Sequence, residues 1–257
     1  MIYNTRDFWI GRSISLYGEY SESEVELFRD VLKQSDVVLD VGANIGTHTL
    51  AFSEIVGPTG KVFAFEPERF NFNTLAGNLA INNILNVYPV QTAIADEPGA
   101  IAVPELDHNS TFNFGGIELK RDYSKNIYYS VPKMKIDKVI LERCNLIKID
   151  IEGMECEALI GAEETIKKFK PMLYVENDRP DNTKKIIKTI RSHNYEIYQH
   201  EAMMYNPNNY ERNTNNVLTV KNEFNQASPV VSKNLFCYHR ESVIQVDFAK
   251  HGLEEIV

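Results

Sequence analysis

The chain has 257 residues, a formal net charge of −9 and three cysteines. This length allows one large domain with its own core, and we predict a single domain over residues 1–257. The acidic charge and the lack of a basic stretch disfavour DNA and RNA as partners, because phosphate backbones attract basic proteins. The cysteines are too few and too scattered for a disulfide framework or a zinc cluster. No apolar run is long enough to cross a bilayer, so we predict a cytoplasmic protein without membrane insertion.

Apolar runs alternate with amphipathic segments along the chain and predict an α/β fold. A capping-box pattern at Ser21 and Glu24 predicts a first helix. The predicted strands are 37–41, 61–66, 87–90, 146–151, 172–175 and 195–199, and the predicted helices are 46–56, 69–82, 155–169 and one from Pro180. This order favours a Rossmann-like, mostly parallel sheet with helices on both faces and ligands at the carboxyl ends of its strands.

Residues 98–134 interrupt the alternation after the third strand. Two strand-like runs, 100–106 and 127–131, flank a polar segment that contains His108. We interpret this insertion as a β-excursion over the mouth of a site, since loops at the carboxyl edge of a sheet commonly carry specificity. A plain surface hairpin is the alternative.

A glycine turn between the first strand and its helix predicts a small-ligand site. The strand ends at Asp40, the turn contains Gly42, Asn44 and Gly46, and a helical pattern follows at once. In this arrangement backbone donors at a helix N-terminus meet a ligand at the sheet edge. The next strand ends at Glu66, at the position where an acid accepts hydrogen bonds from a ribose, about 20 residues beyond the turn. Together these features predict a nucleotide-like cofactor.

The glycine spacing indicates which cofactor. Counted from Gly42, a dinucleotide fingerprint requires further glycines where this chain has Asn44 and Thr47. A pyrophosphate needs bare backbone at the first of these positions, which counts against a nicotinamide-dependent oxidoreductase, our alternative function on the same fold. The turn fits better the D/E-x-G-x-G-x-G pattern of S-adenosylmethionine (SAM) methyltransferases. Asn44 suits the middle glycine position because Asn tolerates a positive φ.

Three separated motifs resemble those of the FkbM-type methyltransferases. They are Asp-Val-Gly-Ala-Asn-Ile-Gly at 40–46, Phe-Glu-Pro at 65–67 and Lys-Ile-Asp-Ile-Glu-Gly-Met-Glu at 148–155, within a resemblance that covers 18–178. The resemblance implies a class I methyltransferase fold that uses SAM. It also implies O-methylation of a hydroxyl on a small molecule or a glycan sugar. An inactive SAM-binding protein would carry the same motifs.

The resemblance also implies a set of cofactor-binding residues. Residues 1–35 would cover the cofactor, with Glu19 and Tyr20 at its amino-acid end; an ordinary surface turn is the alternative there. Asp40 would face the cationic end of the cofactor, and Glu66 would accept from both ribose hydroxyls. The full predicted set is Glu19, Tyr20, Asp40, Gly42, Asn44, Gly46, Glu66, Thr92 and Ala93, the last two placed at the adenine edge by position alone.

Methyl transfer to a hydroxyl requires a group that accepts its proton. Asp150 and Glu152, at the end of the fourth strand, are the predicted catalytic residues, although both also suit a cap of the helix after Gly153. His108 is an alternative base, because its intrinsic pKa is closer to neutral, or simply a loop histidine.

A metal ion is a further hypothesis. Asp150 ends one predicted strand, and Glu176 and Asn177 end the next, so hard oxygen ligands for Mg²⁺ would meet at one sheet edge. The FkbM resemblance does not require a metal, and we do not expect one. The sequence leaves the acceptor and the oligomeric state undetermined.

Overall fold

The computed structural model describes residues 1–119, 127–221 and 227–256. The helices are α1 (Ile10–Tyr17), α2 (Glu22–Val31), α3 (Thr47–Val56), α4 (Arg69–Ile81), α5 (Glu155–Gly161), α6 (Glu163–Phe169) and α7 (Pro180–Ser192). The strands are β1 (Val37–Val41), β2 (Lys61–Phe65), β3 (Val87–Val90), β4 (Ala93–Ile94), β5 (Gly99–Pro104), β6 (Tyr128–Met134), β7 (Leu146–Ile149), β8 (Met172–Glu176), β9 (Tyr195–Met203), β10 (Thr219–Lys221), β11 (Ala227–Pro229), β12 (Val231–His239) and β13 (Leu253–Glu255). Among these described residues, no helix combines the length and apolarity needed to span a membrane.

Eight strands form the central sheet in the order β13-β9-β12-β8-β7-β1-β2-β3. The five strands from β8 to β3 are mutually parallel. β12 lies antiparallel between β8 and β9, and β13 is antiparallel to β9. The predicted mostly parallel, Rossmann-like sheet is therefore confirmed.

Both faces of the central sheet are covered by helices, because consecutive side chains of a strand point to opposite faces. In β1, Leu39 and Val41 join a core cluster that includes residues of α5, α6 and α7. Val38, which precedes Leu39 and points to the opposite face, joins a second cluster with residues of α2, α3 and α4. All five residues of β1 are buried, as expected for a central strand of a two-sided sheet.

Two helix predictions need correction. The helix predicted over 155–169 is two helices that meet at Ala162. Ser21 precedes α2 as predicted, but its side chain makes no capping hydrogen bond and its φ is +51°. The capping box does not form because Glu24 turns inward, where its Oε2 lies 2.8 Å from His48 Nε2.

The β-excursion has its own three-stranded sheet, in which β6 lies between β4 and β5. It is thus separate from the central sheet, as predicted, although residues 120–126 of it lie outside the described part. The N-terminal segment is attached to it: Phe8 N donates to Phe112 O at 3.0 Å. Two segments distant in sequence therefore form one cover beside the sheet edge.

The turn after β1 brings the chain against the end of β7. Gly42 has a φ of +82°, and a Cβ built on it would lie 1.8 Å from the carbonyl oxygen of Asp150. Only glycine fits both the left-handed backbone and this approach.

We expect Gly42→Ala to destabilise the protein by about 2 kcal/mol or more, since the left-handed conformation and the overlap both oppose a side chain. Gly77→Ala is the matched control. Gly77 lies within α4, where an added Cβ would meet only the flexible end of Ile2 at 3.3 Å, and alanine favours a helix. Urea unfolding of both variants measures the difference, and equal stability of the two would contradict the argument.

Candidate active site

A cavity of about 240 Å³ opens at the carboxyl ends of the parallel strands. One end is lined by the turn at 41–44 and by 65–68, after β1 and β2. The other end is lined by 150–152, Glu176 and Asp178, after β7 and β8. Side chains of the N-terminal segment and of the β-excursion close over it, among them Trp9, Ile10, Phe114 and Ile117.

Glu66 joins the first end of the cavity to the glycine turn. Its Oε2 accepts from Asn44 N and its Oε1 from Glu68 N, both at 2.8 Å. Burial raises the pKa of Glu66 to about 8, although the two backbone donors lower it. Asn44 has a φ of +50°, so the predicted positive φ at this position is confirmed. The turn and the acid thus form one wall, where the sequence places the cofactor.

Tyr20, Thr92 and Ala93 also line the cavity, as the sequence predicts. The Tyr20 ring packs edge-on against His48, with ring centroids 6.2 Å apart. The Thr92 hydroxyl donates to the carbonyl oxygen of Pro132 at 2.8 Å. The hydroxyl proton is therefore used in a bond to strand β6 of the excursion, and Thr92 contributes to the cavity wall by packing.

Asp40 does not reach the cavity wall, contrary to the predicted contact with a cofactor. Its side chain is fully buried beneath the turn. Oδ2 accepts from the Thr49 hydroxyl at 2.5 Å, and Oδ1 lies 3.6 Å from Lys148 Nζ. Because β1 residues alternate between faces, the acid at this position points toward α3 and not out of the strand end.

Glu19 and Gly46 also lie away from the cavity wall. Glu19 Oε2 accepts from Tyr210 N at 3.3 Å, so this side chain faces the segment after β9. Gly46 precedes α3 with a φ of +94°, and a Cβ there would lie 2.7 Å from Leu75. Gly46 therefore allows the turn to pack closely against Leu75, on the side away from the cavity.

His108 belongs to a different surface from Asp150 and Glu152. Its ring is stacked between Phe70 and Phe114, with centroid distances of 4.0 and 4.5 Å. Its Nε2 lies 3.5 Å from Glu68 Oε1, in a smaller hollow behind the first end of the cavity. The structure therefore does not bring this predicted base to the second end of the cavity, where Asp150 and Glu152 lie.

Asp150 and Glu152 both line the second end of the cavity, as predicted. Asp150 Oδ2 accepts from Lys148 Nζ at 3.1 Å, and its side chain is 40% exposed. Glu152 accepts from a guanidinium nitrogen of Arg179. Burial and the neighbouring Asp150 raise the pKa of Glu152 to about 7, although Arg179 lowers it. A carboxyl with such a pKa is suited to accept a proton near neutral pH.

Two further acids complete this end. Burial, together with Asp150 and Glu152, raises the pKa of Glu176 well above its ordinary value, and burial also raises the pKa of Asp178. One oxygen of Glu176 is buried without a hydrogen-bond partner among the described residues. The second end of the cavity is therefore rich in carboxylate oxygens.

Of the oxygen ligands hypothesised for Mg²⁺, which are Asp150, Glu176 and Asn177, only Glu176 belongs to the cluster of acids that the described residues form. Oxygens of Glu152, Glu176 and Asp178 lie within 4.8 Å of one another. Asn177 is not among them, because its Oδ1 accepts from the Thr183 hydroxyl at 2.7 Å. Arg179 already supplies positive charge to this group.

A buried pair in the cavity wall, Glu24 and His48, was not predicted from the sequence. His48 Nε2 and Glu24 Oε2 are 2.8 Å apart, and both side chains line the cavity. Asn234 donates to the other Glu24 oxygen at 2.8 Å. Burial raises the pKa of Glu24, but His48, Lys148 and Ser232 together lower it to about 2. No local pattern could have revealed the pair, since Glu24 comes from α2 and His48 from α3, and their partner Asn234 comes from β12.

We expect thermal stability to fall between about pH 5 and pH 8. Folding raises the pKa of Glu152 from 4.5 to about 7 and that of Glu66 from 4.5 to about 8. The folded state therefore holds protons that the unfolded chain has released, so their stabilisation is complete below pH 4.5 and is lost as the pH rises through these values. Melting temperatures measured across this range should fall less steeply for Glu152→Gln. The exposed Glu164→Gln should keep the wild-type slope; equal slopes for all three proteins would refute the account.

Comparisons with known proteins agree with this geometry. Residues 40–197 match the profile of the Methyltransferase FkbM domain, which is more than half of the chain. Methyltransferase sdnD of Sordaria araneosa is 30% identical over 193 residues, which is 62% of this chain and 73% of that protein.

Two further relatives carry more specific names. The hexuronic acid methyltransferase AglP of Haloferax volcanii is 29% identical over 174 residues, which is 65% of this chain and 64% of that protein. The 31-O-demethyl-FK506 methyltransferase FkbM of Streptomyces tacrolimicus is 26% identical over 227 residues, covering 76% of this chain and 86% of that protein.

Proposed function

The chain belongs to the FkbM methyltransferase family, and from this membership we propose that it transfers the methyl group of SAM to a hydroxyl of a small molecule or a glycan sugar. The observation that supports this most directly is the single cavity with two different ends. The turn and Glu66 line one end, and Asp150 and Glu152 line the other. A cofactor end and an acceptor end thus meet within one covered space.

The residues at the first end fit SAM. In the ionised form, each Glu66 oxygen accepts one backbone N–H and keeps a second lone pair, which suits two neighbouring ribose hydroxyls. The glycine turn offers bare backbone beside it, and Tyr20 would lie over the amino-acid end. When bound, SAM supplies a methyl carbon activated by its sulfonium. The protein's part is then to hold the two reactants in line and to exclude water.

The second end suits a hydroxyl acceptor. Glu152, with its pKa near 7, would take the hydroxyl proton, and Asp150 is the alternative base at the same strand end. The names of two relatives describe methylation of a hexuronic acid and of 31-O-demethyl-FK506. Their likeness to this chain supports an oxygen acceptor on a small molecule or a sugar.

S-Adenosylhomocysteine should bind the protein with micromolar affinity, because it retains the adenosine that Glu66 would recognise. Glu66→Ala should weaken this binding at least tenfold, since removal of the carboxylate removes both acceptor oxygens. Titration calorimetry with NAD in parallel measures this. Glu164→Gln is the control.

The nicotinamide-dependent alternative makes the opposite prediction. Binding of NAD without binding of S-adenosylhomocysteine would overturn the proposed cofactor. Failure of both to bind would leave the cavity without the proposed cofactor and would also refute the proposal.

With radiolabelled SAM and a panel of monosaccharides, hexuronic acids and hydroxylated metabolites, label should pass to at least one acceptor. Glu152→Gln should lower kcat at least a hundredfold with little change in KM, because the variant cannot accept a proton. The wild-type rate should rise with pH through about 7 as Glu152 ionises. Asp150→Asn serves as the comparison that identifies the base.

The same assay tests the other open predictions. Activity should survive EDTA, since Arg179 and not a metal is the expected counter-charge; loss of activity would establish a metal requirement. Binding of S-adenosylhomocysteine without label transfer to any acceptor would favour an inactive SAM-binding protein.

A further inference from the structure

Lys148 is a buried cation for which the proposed chemistry gives no role. It lies within β7, between the apolar residues Ile147 and Ile149, and is 2% exposed. Burying a lone ammonium is costly, so a lysine in the centre of a sheet requires acids around it. The structure provides two of them, Asp40 from the motif at 40–46 and Asp150 from the motif at 148–155.

The register of the sheet places these acids. Asp40 of β1 is the direct partner of Lys148 across the parallel pair, so the two side chains share a face of the sheet. Asp150 lies two residues after Lys148, which puts it on the same face at the strand end. Lys148 Nζ is 3.6 Å from Asp40 Oδ1 and 3.1 Å from Asp150 Oδ2.

The carboxylates around Lys148 keep its ammonium group protonated. Burial lowers the pKa of Lys148, but the carboxylates of Asp150, Asp40 and Glu24 together raise it above its ordinary value. Asp40 Oδ1 makes no hydrogen bond within the described chain, so Lys148 is its nearest compensation. The two acids differ in exposure: Asp40 is fully buried, whereas 40% of the Asp150 side chain is exposed.

The main chain joins the same two motifs. Asp150 N donates to Val41 O at 3.0 Å, and the Asp150 carbonyl oxygen lies where a Cβ on Gly42 would stand. Asp150 is therefore held to the glycine turn by its backbone and to Asp40 through Lys148 by its side chain.

We propose that Lys148 is a positioning residue that links the buried acid of the glycine-turn motif to the cavity-lining Asp150, so that the cofactor end and the acceptor end keep one geometry. This inference rests on the proposed function, because the geometry matters through binding of SAM. Lys148 itself lines part of the cavity, but its Nζ is directed to Asp40 and Asp150. It therefore acts by holding these two acids, and its role differs from that of a simple counter-charge for Asp40.

A cycle of variants separates positioning from charge compensation. Lys148→Met should lower the melting temperature, because it leaves Asp40 buried without a counter-charge. Adding Asp40→Asn should recover at least half of that loss, since Asn has no charge and can still accept from Thr49. The affinity for S-adenosylhomocysteine should nevertheless stay at least tenfold below wild type in this double variant, because Asp150 is no longer held. Circular dichroism and titration calorimetry measure the two quantities.

Asp150→Asn provides the matched comparison. Alone, this substitution should lower the affinity for S-adenosylhomocysteine by a factor similar to that seen in the double variant. Added to the double variant, it should change the affinity less than twofold, because coupled residues are not additive.

Several results would overturn the inference. Wild-type affinity in the double variant would make Lys148 a counter-charge only. An unchanged melting temperature for Lys148→Met, or a double variant no more stable than Lys148→Met, would show that the Asp40 pair is not what Lys148 compensates. Absence of binding by the wild-type protein would refute the proposed function, and the positioning role with it, while the melting temperatures would still report on the ion pair.

Discussion

Parallel pairing of β1 with β7 places an acid and a lysine opposite each other inside a sheet that is buried on both faces. Asp40 and Lys148 share one register position, and water has no access to Asp40. Two opposite charges at this place neutralise each other, whereas either charge alone would be buried without compensation and would destabilise the fold. The strand ends of both motifs therefore meet at a defined distance, and the glycine turn and Asp150 are held against each other above the pair.

The acids that line the cavity above this pair have different pKa values because their neighbours differ. At the first end, burial keeps the Glu66 carboxyl at a high pKa beside a turn of backbone donors. At the second end, burial and mutual repulsion raise the pKa values of Glu152 and Glu176, with Arg179 as the opposing cation. Glu24 shows the opposite shift because His48 lies beside it. One cavity thus contains acids of the same type with different proton affinities, and their neighbours make the difference.

Most of the central sheet could be predicted because its signals are local. The apolar runs that become β1, β2, β3, β7 and β8 are bounded by turns or acids, and their order implies a parallel sheet. The positive φ of Asn44 also follows from local chemistry, since few other residues fit a glycine position. The predicted cap at Ser21 failed for the opposite reason: the local pattern competes with a tertiary contact, and Glu24 pairs with His48 instead.

By itself, the sequence determined the α/β class, the position of the glycine turn, the acid at Glu66 and the two acids after β7, because each depends on residues close together in the chain. Only the tertiary structure decided which acids face the cavity. Asp40 is buried under the turn, His108 is stacked between two phenylalanines, and Glu19 faces another segment. The physical reason is that exposure, pairing and pKa depend on side chains brought together from distant segments, such as Glu24 with His48 and Asp40 with Lys148. A sequence motif identifies these residues, and tertiary packing determines which groups they contact.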